Sequence, residues 1–109
     1  MQSGITIEDK VFQALADPSR RAIFEALTRG EAAVKDLTAR FDISQPAVSQ
    51  HLAALKAAGL VNRRRDGRQV FYRVEPRGMK PLIDWIAHYR AFWTEHVGRL
   101  EKLLEKMDE

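Results

Sequence analysis

The spacing of apolar residues changes after Leu60, and this change limits the folds that the chain can adopt. Upstream, Val48, Leu52 and Leu55 recur at intervals of three and four residues, which predicts the buried face of a helix. Downstream, apolar and charged residues alternate on both sides of the pair Asp66-Gly67, which favours a tight hairpin turn. The sequence therefore predicts a helix followed directly by a two-stranded β-hairpin.

The predicted helix has recognisable signals at both ends. Ser44 can cap its first turn, and Pro46 is tolerated there because the first backbone N–H groups of a helix have no internal partner. Gly59 can end the helix in the left-handed conformation. We therefore expect this helix to span about residues 45–58.

The predicted hairpin covers about residues 61–74. A two-residue turn made of Asp66 and Gly67 needs positive φ at both of these residues. In the register that this turn implies, Val61 lies opposite Tyr72. The hairpin is a small β element in a chain whose other segments are predicted to be helical.

Four further helices are predicted on either side of this pair of elements. A first helix of about residues 8–16 ends at Asp17-Pro18, which begins a second helix that runs towards Gly30. A short third helix lies between residues 34 and 41, and one long helix of about residues 79–107 follows the hairpin. The expected fold class is mainly α with a small β-hairpin. A chain of 109 residues can bury one core but not two, so a single domain of residues 1–109 is expected.

The residue types present exclude several kinds of chemistry. The chain has no cysteine, so disulfides, thiolate nucleophiles and thiolate metal sites cannot form. Hydrophobic residues make up 45% and charged residues 30%, which is the balance of a folded, soluble protein. The N-terminus lacks the pattern of a signal peptide, and no apolar stretch approaches the roughly 18 residues of a membrane span. A cytoplasmic protein with no membrane partner is therefore expected.

Three segments resemble one protein family. The run LADPSRRAIFEAL begins at Leu15, SQPAVSQHLAALKAAGLV at Ser44 and RRRDGRQVFYRV at Arg63, and all three resemble the ArsR-type bacterial transcriptional regulators. The resemblance covers nearly the whole chain. It implies a winged helix-turn-helix, in which residues 45–58 are the recognition helix and residues 61–74 are the wing. It also implies DNA binding, repression, and homodimers in which the first and last helices pack together.

The predicted recognition helix carries side chains that suit the edges of bases. A helix fits the major groove of B-DNA, where glutamine can pair with adenine, serine with several bases and alanine with a thymine methyl group. Gln45, Ser49 and Gln50 are placed for this role, although a solvated helix face would show the same polar residues. His51 either contacts a phosphate or packs beside Leu55.

Arginines are concentrated in the predicted wing. Arg65 and Arg68, nearest its tip, are expected to enter the minor groove or to neutralise phosphates. Arg63 and Arg73 could equally be edge charges that prevent aggregation through the strands. Arg20 is a weaker phosphate candidate, because its stem could simply cover the core. The predicted DNA-binding residues are Ser44, Gln45, Pro46, Ala47, Ser49, Gln50, His51, Lys56, Arg64, Arg65 and Arg68.

The predicted C-terminal helix is too long and too apolar for one small domain. It would measure roughly 40 Å at 1.5 Å per residue. Its apolar stripe is wide enough to contact both its own domain and a second copy of the chain. The alternative is that its aromatic residues line a ligand pocket, and the sequence leaves room for a small-molecule effector. The predicted dimer interface consists of Val11, Phe12, Leu82, Trp85, Ile86, Tyr89, Phe92, Trp93, Leu100 and Leu104.

No metal site, cofactor or catalytic residue is predicted. One family motif for metal sensing reads ELCVCDL at the start of the third helix, but this chain reads EAAVKDL, with Ala33 and Lys35 where the cysteines would be. Asp84 and His88 share a helix face, yet the spacing of a second family metal site is not reproduced. Such a pair is usually a surface hydrogen bond. No histidine has a nucleophile at catalytic spacing, so an enzyme is the least favoured class.

Together these features predict a homodimeric winged-helix repressor that binds double-stranded DNA at an inverted repeat. Two copies of the recognition helix would enter successive major grooves about 34 Å apart. The alternative is a winged-helix module that binds another protein through its long helix and never contacts DNA. The arginines of the wing and the polar face of the recognition helix favour DNA.

Overall fold

The computed structural model of the chain describes residues 6–108, apart from the side chains of residues 7, 8 and 93. In chain order the elements are α1 (Ile7–Ala16), α2 (Pro18–Thr28), β1 (Ala32–Ala33), α3 (Val34–Phe41), α4 (Gln45–Ala57), β2 (Val61–Asp66), β3 (Gln69–Val74), a 3₁₀ turn (Pro76–Met79), α5 (Lys80–His88) and α6 (Arg90–Met107). The predicted fold class, mainly α with a small β-hairpin, is confirmed.

Side-chain caps fix where α2 and α4 begin. The Asp17 carboxylate accepts a 3.0 Å hydrogen bond from the backbone N–H of Arg20, and this bond is the main reason that the pKa of Asp17 lies below its ordinary value. The Ser44 hydroxyl likewise accepts a 3.2 Å bond from the backbone N–H of Ala47. Gly59, with a φ of +80°, follows the last turn of α4. The predicted starts of both helices are confirmed.

The core lies between the first four helices and the base of the hairpin. Val48, Leu52 and Leu55 are fully buried, which confirms the predicted inner face of α4. Burying a large apolar side chain stabilises a fold by about 1.5–3 kcal/mol. The core also contains Val11, Ile23, Phe24, Leu27, Leu37, Leu60, Val61 and Tyr72.

The prediction that Val11 lies at a dimer interface is wrong. This residue is 1% exposed and belongs to the core of its own chain, so it cannot contact a second copy. Phe12, the next residue of α1, is 38% exposed. Successive positions of a helix differ in direction by about 100°, so one neighbour can face the core while the next faces solvent.

The hairpin pairs in a different register from the predicted one. Val61 lies opposite Val74 and not opposite Tyr72, because the loop consists of Gly67 and Arg68. Of these two, only Gly67 has positive φ, at +64°. A type II′ turn needs positive φ at its first central residue alone, whereas the predicted turn needs it at both. The pairing moves by two residues, so each side chain keeps its predicted face of the sheet.

A third strand extends the sheet beyond the predicted hairpin. Ala32 and Ala33 pair antiparallel with Tyr72 and Phe71, which gives the strand order β1-β3-β2. A strand of two residues is too short to show an alternating pattern, so periodicity could not reveal it. This strand joins the hairpin to the segment that leads into α3.

The C-terminal segment forms two helices, so the prediction of one long helix is wrong. The backbone leaves the helical conformation at Tyr89 (φ −106°, ψ 17°), whose N–H bonds to the carbonyl of Ile86 at 3.1 Å in a tighter turn than that of an α-helix. Neither proline nor glycine stands at the break, and the apolar spacing continues across it, so no local signal predicts the break. Pro76 begins the 3₁₀ turn and Pro81 lies in the first turn of α5, where a proline is tolerated.

The 3₁₀ turn lies directly against the end of α4. A Cβ atom on Gly78 would lie 2.8 Å from the carbonyl carbon of Gly59 and 2.9 Å from the Cα of Leu60, closer than such atoms approach in proteins. The backbone N–H of Glu75 also bonds to the Leu60 carbonyl at 2.9 Å. The C-terminal helices are therefore joined to the end of α4 by contacts between main chains.

Within residues 6–108, no helix combines the length and the apolar character needed to cross a bilayer.

Candidate nucleic-acid interface

The first turns of α4 present polar side chains to solvent. The inner face of this helix is buried in the core, so the opposite arc points outwards. Ala47 is half-buried at the edge of this arc. The predicted DNA contacts that are exposed here are Ser44, Gln45, Pro46, Ser49 and Gln50. The end of α4 that is predicted to reach base edges is therefore accessible to a large partner.

An open cleft of about 410 Å³ separates α4 from the hairpin, and we call it the wing cleft. Gln45 and Ser49, one helical turn apart, line its α4 wall. Arg63 and Arg68 line the hairpin wall, and Lys35, from the first turn of α3, contributes a third positive charge. The structure thus brings hydrogen-bonding groups of α4 next to three cationic side chains.

Arg63, which the sequence left open between a DNA contact and an edge charge, belongs to this cleft, and so does Lys35, which was not predicted. Arg63 follows Val61 by two residues in β2, so the two residues share one face of the sheet. Val61 is buried in the core, and the face that begins there continues outwards beside α4. That alternation was the available signal for Arg63. Lys35 gave none, because its place depends on how α3 packs against β1 and β3.

Arg65 and Arg68 lie towards the exposed end of the hairpin. Arg65 is opposite Val70 in the strand pair, and Arg68 is the second residue of the turn. Both are exposed, and within residues 6–108 neither forms an ion pair. Their charges are therefore accessible to phosphate groups, as their predicted role requires.

Arg64 faces away from the wing cleft and has a partner in its own chain. Its Nε lies 2.9 Å from one carboxylate oxygen of Glu31, and a terminal nitrogen lies 2.6 Å from the other. The guanidinium also lies over the Phe71 ring, 4.7 Å from its centroid. The hydrogen bonds from Arg64 hold the pKa of Glu31 below its ordinary value and raise that of Arg64. A DNA contact by Arg64 stays a prediction, and the observed geometry gives this residue a role in holding the hairpin.

His51 and Lys56 lie away from the wing cleft. His51 is half-buried, and its Nδ1 has no hydrogen-bond partner within the described part of the chain. The pKa of Asp17, lowered mainly by the backbone N–H of Arg20, is lowered further by the charge of His51, so these side chains are neighbours. Lys56 is exposed in the last turn of α4, at the opposite end from Gln45. Phosphate contacts by His51 and Lys56 stay predictions.

Aromatic rings of α1 and α5 form a second exposed surface. The Phe12 ring meets Trp85 edge-on with centroids 5.6 Å apart, and Trp85 lies 5.3 Å from Tyr89. We call these three residues the aromatic face. They are 38%, 41% and 42% exposed, so they form an open surface and not an enclosed ligand pocket.

Further apolar side chains are exposed along α5 and α6. Leu82 is half-buried and packs against the core of its own chain. The side chain of Trp93 lies outside the described residues. The other predicted interface residues, all exposed, are Ile86, Phe92, Leu100 and Leu104. Exposed apolar side chains in this number are typical of a surface that contacts another protein.

Two of the potential metal ligands on the C-terminal helices, Asp84 and His96, have partners within the chain. Asp84 pairs with Lys80 at 2.6 Å, and the Nδ1 of His96 lies 2.9 Å from the carbonyl oxygen of Phe92. Among residues 6–108, no three potential ligands are grouped so that they could hold a metal ion. Asp84 and His88 therefore have no third ligand in that part of the chain.

The sequence is similar to those of bacterial regulators. Residues 17–63 match the family described as "Bacterial regulatory protein, arsR family". The HTH-type transcriptional regulator Rv2034 of Mycobacterium tuberculosis is 40% identical over 97 residues, which cover 89% of this chain and 88% of that protein. The transcriptional repressor SdpR of Bacillus subtilis is 32% identical over 81 residues, which cover 74% of this chain and 90% of that protein.

Solved structures share the fold. An ArsR-like transcriptional regulator from Rhodococcus sp. RHA1 matches with a TM-score of 0.70 at 28% identity, over 89% of this chain and 92% of that one. The order of α3, α4 and the hairpin is therefore that of a winged helix-turn-helix. The family match, together with the regulator that is 40% identical over 89% of this chain, shows that the chain belongs to the ArsR family of bacterial transcriptional regulators.

Proposed function

We propose that the protein is a homodimeric repressor that binds double-stranded DNA at a specific inverted repeat. The observation that carries this proposal is the wing cleft, in which Gln45 and Ser49 lie beside Arg63 and Arg68. Amide and hydroxyl groups suit base edges, whereas guanidinium groups suit phosphates. The two walls of the cleft therefore match the two parts of a DNA strand, and membership of a family of transcriptional regulators supports the same function.

In the proposed complex, α4 enters the major groove with its first turns foremost. An α-helix is about 10–12 Å across and the groove is about 12 Å wide, so the helix fills it and each of its flanks faces one sugar-phosphate backbone. The wing cleft then faces the backbone on the hairpin side. Arg63, Arg68 and Lys35 neutralise phosphates there and release counterions. Arg65, near the tip, reaches towards the adjacent minor groove.

The aromatic face is the proposed contact between the two copies. A two-fold axis brings the same surface of each chain together, so Phe12, Trp85 and Tyr89 of one copy pack against these residues of the other. Aromatic side chains bury about 150–250 Å² each, which makes such a contact strong for its size. The two copies of α4 then address successive major grooves about 34 Å apart, and the operator has inverted symmetry.

Repression follows from where such a dimer sits. A protein bound to an inverted repeat that overlaps a promoter prevents RNA polymerase from binding there. The relative SdpR is named a transcriptional repressor, which supports this direction of regulation.

The proposal is tested by selecting bound fragments from genomic DNA and measuring the affinity for them at several salt concentrations. The recovered fragments should share an inverted repeat near promoters, with half-sites about 10–10.5 base pairs apart or a multiple of this spacing. The logarithm of the binding constant should fall linearly with the logarithm of the salt concentration. A chain that binds no fragment would instead favour a winged-helix module that binds another protein, and equal binding to all fragments would contradict a specific operator.

A further inference from the structure

A second cavity lies on the flank of α4 opposite the hairpin. It measures about 220 Å³ and is bordered by α1, α2 and α4. Ala54, Ala57 and Ala58, at the C-terminal end of α4, form its α4 wall, whereas Gln45 and Ser49, in the first turns, line the wing cleft. Ala54 and Ala58 point in a different direction around the helix from Gln45 and Ser49, so the two cavities lie on different sides of the exposed arc of α4.

The polar lining of this second cavity is cationic. Its polar side chains are Lys10, Gln13 and Arg20, and the rest of its lining is alanine. Small alanine side chains leave the space open, and the lining contains no carboxylate. Asp17, the nearby acidic residue, accepts a hydrogen bond from the backbone N–H of Arg20. The cavity therefore presents two positive charges to whatever enters it.

One nitrogen of the Arg20 guanidinium lacks a hydrogen-bond partner in the described part of the chain. The side chain is half-buried, and its buried Nε has no hydrogen-bond acceptor among residues 6–108. Most buried polar groups in proteins are paired, so an unpaired guanidinium nitrogen beside a cavity calls for an explanation. His51, on the same flank of α4, has a buried Nδ1 that also lacks a partner within those residues. Asp17 places one negative charge near this cluster, and an anion in the cavity would add the hydrogen-bond acceptor that the described residues do not offer to the Arg20 Nε.

We propose that Arg20, together with Lys10, binds a phosphate of the DNA strand that flanks α4 on the side away from the hairpin. This inference rests on the proposed function. A helix that fills the major groove has a backbone on each flank, and the structure places a cationic cavity on each flank. The wing cleft contacts the backbone of one strand and the second cavity contacts the backbone of the other. Together these contacts fix the rotation of α4 about its own axis in the groove. Guanidinium suits this role because its planar fork can donate two hydrogen bonds to a phosphate.

The test combines charge-removing variants with DNA in which single phosphates are replaced by neutral methylphosphonates. The operator recovered by genomic selection is scanned with wild-type protein and with Arg20→Gln. In the wild type, neutralising the phosphate at this site should weaken binding about tenfold, the size expected of a charged hydrogen bond. In Arg20→Gln the same replacement should have no effect, and the salt slope should be smaller by about one. Arg29→Gln, which removes the same charge at the other end of α2, should behave as the wild type.

Loss of stability is separated from loss of contact by a second variant. Arg20 is half-buried, so thermal unfolding of Arg20→Gln is measured alongside binding. Lys10→Gln removes an exposed charge, and its smaller salt slope would support the proposal even if Arg20→Gln does not fold. Wild-type slopes and methylphosphonate profiles in both variants would overturn this inference and leave the proposed function intact. Failure of the wild-type protein to bind DNA would overturn the proposed function itself.

Discussion

The guanidinium of Arg64 meets the carboxylate of Glu31 through two nitrogen atoms, at 2.9 and 2.6 Å, across 33 residues of chain. This bidentate pair joins β2 to the segment before β1. It lies on the face of the hairpin opposite to Arg63, so it fixes the strand without occupying the wing cleft.

Replacing Glu31 with glutamine should change how stability depends on pH. Because Arg64 lowers the folded-state pKa of Glu31 from its ordinary value of 4.5, the pair stabilises the fold above that value. The contribution is lost as the pH falls through the lower folded-state pKa. At neutral pH the Tm of Glu31→Gln should therefore be lower than that of the wild type, and this difference in Tm should become smaller as the pH falls. Solvent screens this exposed pair, so the effect is small. A Tm difference that is the same at neutral and acidic pH would contradict this prediction.

Replacing Gln45 with alanine should weaken binding to the operator and relax its sequence preference. The amide can make two hydrogen bonds to one base, and losing them should cost about 1–3 kcal/mol at the cognate site. Affinities for the operator and for scrambled DNA of equal length are compared by fluorescence anisotropy. Binding to scrambled DNA serves as the control and should be unchanged. An equal loss of affinity for both DNAs would show that Gln45 binds a phosphate and does not recognise a base.

Replacing Arg68 with alanine should weaken binding to every DNA sequence by the same factor. Arg68 is exposed at the turn of the hairpin, where it can neutralise one phosphate, so the salt slope should fall by about one. Arg99→Ala is a matched control, because Arg99 pairs with Glu95 on α6, far along the chain from the hairpin. An unchanged salt slope in Arg68→Ala would show that Arg68 does not contact a DNA phosphate.

Replacing Trp85 with alanine should weaken the dimer more than it weakens the folded chain. Trp85 contacts Phe12 and Tyr89 within the aromatic face but is 41% exposed, so a partner would bury much of it. The dimer Kd measured by sedimentation should rise about tenfold or more. Ile83→Ala is the control, since Ile83 is 57% exposed on a different face of α5. Equal Kd values for the two variants would place the dimer interface elsewhere.

Replacing Gly78 with alanine should destabilise the chain by about 2 kcal/mol or more, because the new Cβ would meet the main chain of Gly59 and Leu60. Gly98→Ala provides the contrast: Gly98 lies inside α6, and among the described residues the added Cβ would meet no atom within 4 Å apart from its chain neighbours and the adjacent helix backbone. Alanine there should stabilise the helix by up to about 1 kcal/mol. Unfolding in urea gives both values. An unchanged free energy of unfolding in Gly78→Ala would show that the main chain at Gly59 and Leu60 can shift to accommodate the new Cβ at little cost.

The elements that local chemistry defines were predictable from the sequence. The start of α4 follows from the hydroxyl of Ser44, and its inner face follows from the spacing of Val48, Leu52 and Leu55. The resemblance to known regulators came from the same segments. These features depend on neighbouring residues alone, so a single sequence contains them.

Features that depend on distant parts of the chain were missed or wrong. The partner of Arg64 is Glu31, and no local pattern connects two residues so far apart. Lys35 reaches the wing cleft only because α3 packs against the sheet. Val11 was assigned to the wrong surface, because the apolar spacing of α1 does not say which residues face the chain's own core. The division of the C-terminal segment at Tyr89 also left no trace in the spacing.

The close approach of Gly59 and Gly78 couples the position of the end of α4 to that of the turn that leads into α5. Main-chain atoms have no rotamers that could absorb a displacement, so a tilt at one side of this joint is passed to the other. In the proposed dimer, the geometry with which the two copies assemble would therefore set the angle at which each copy of α4 meets its half of the operator.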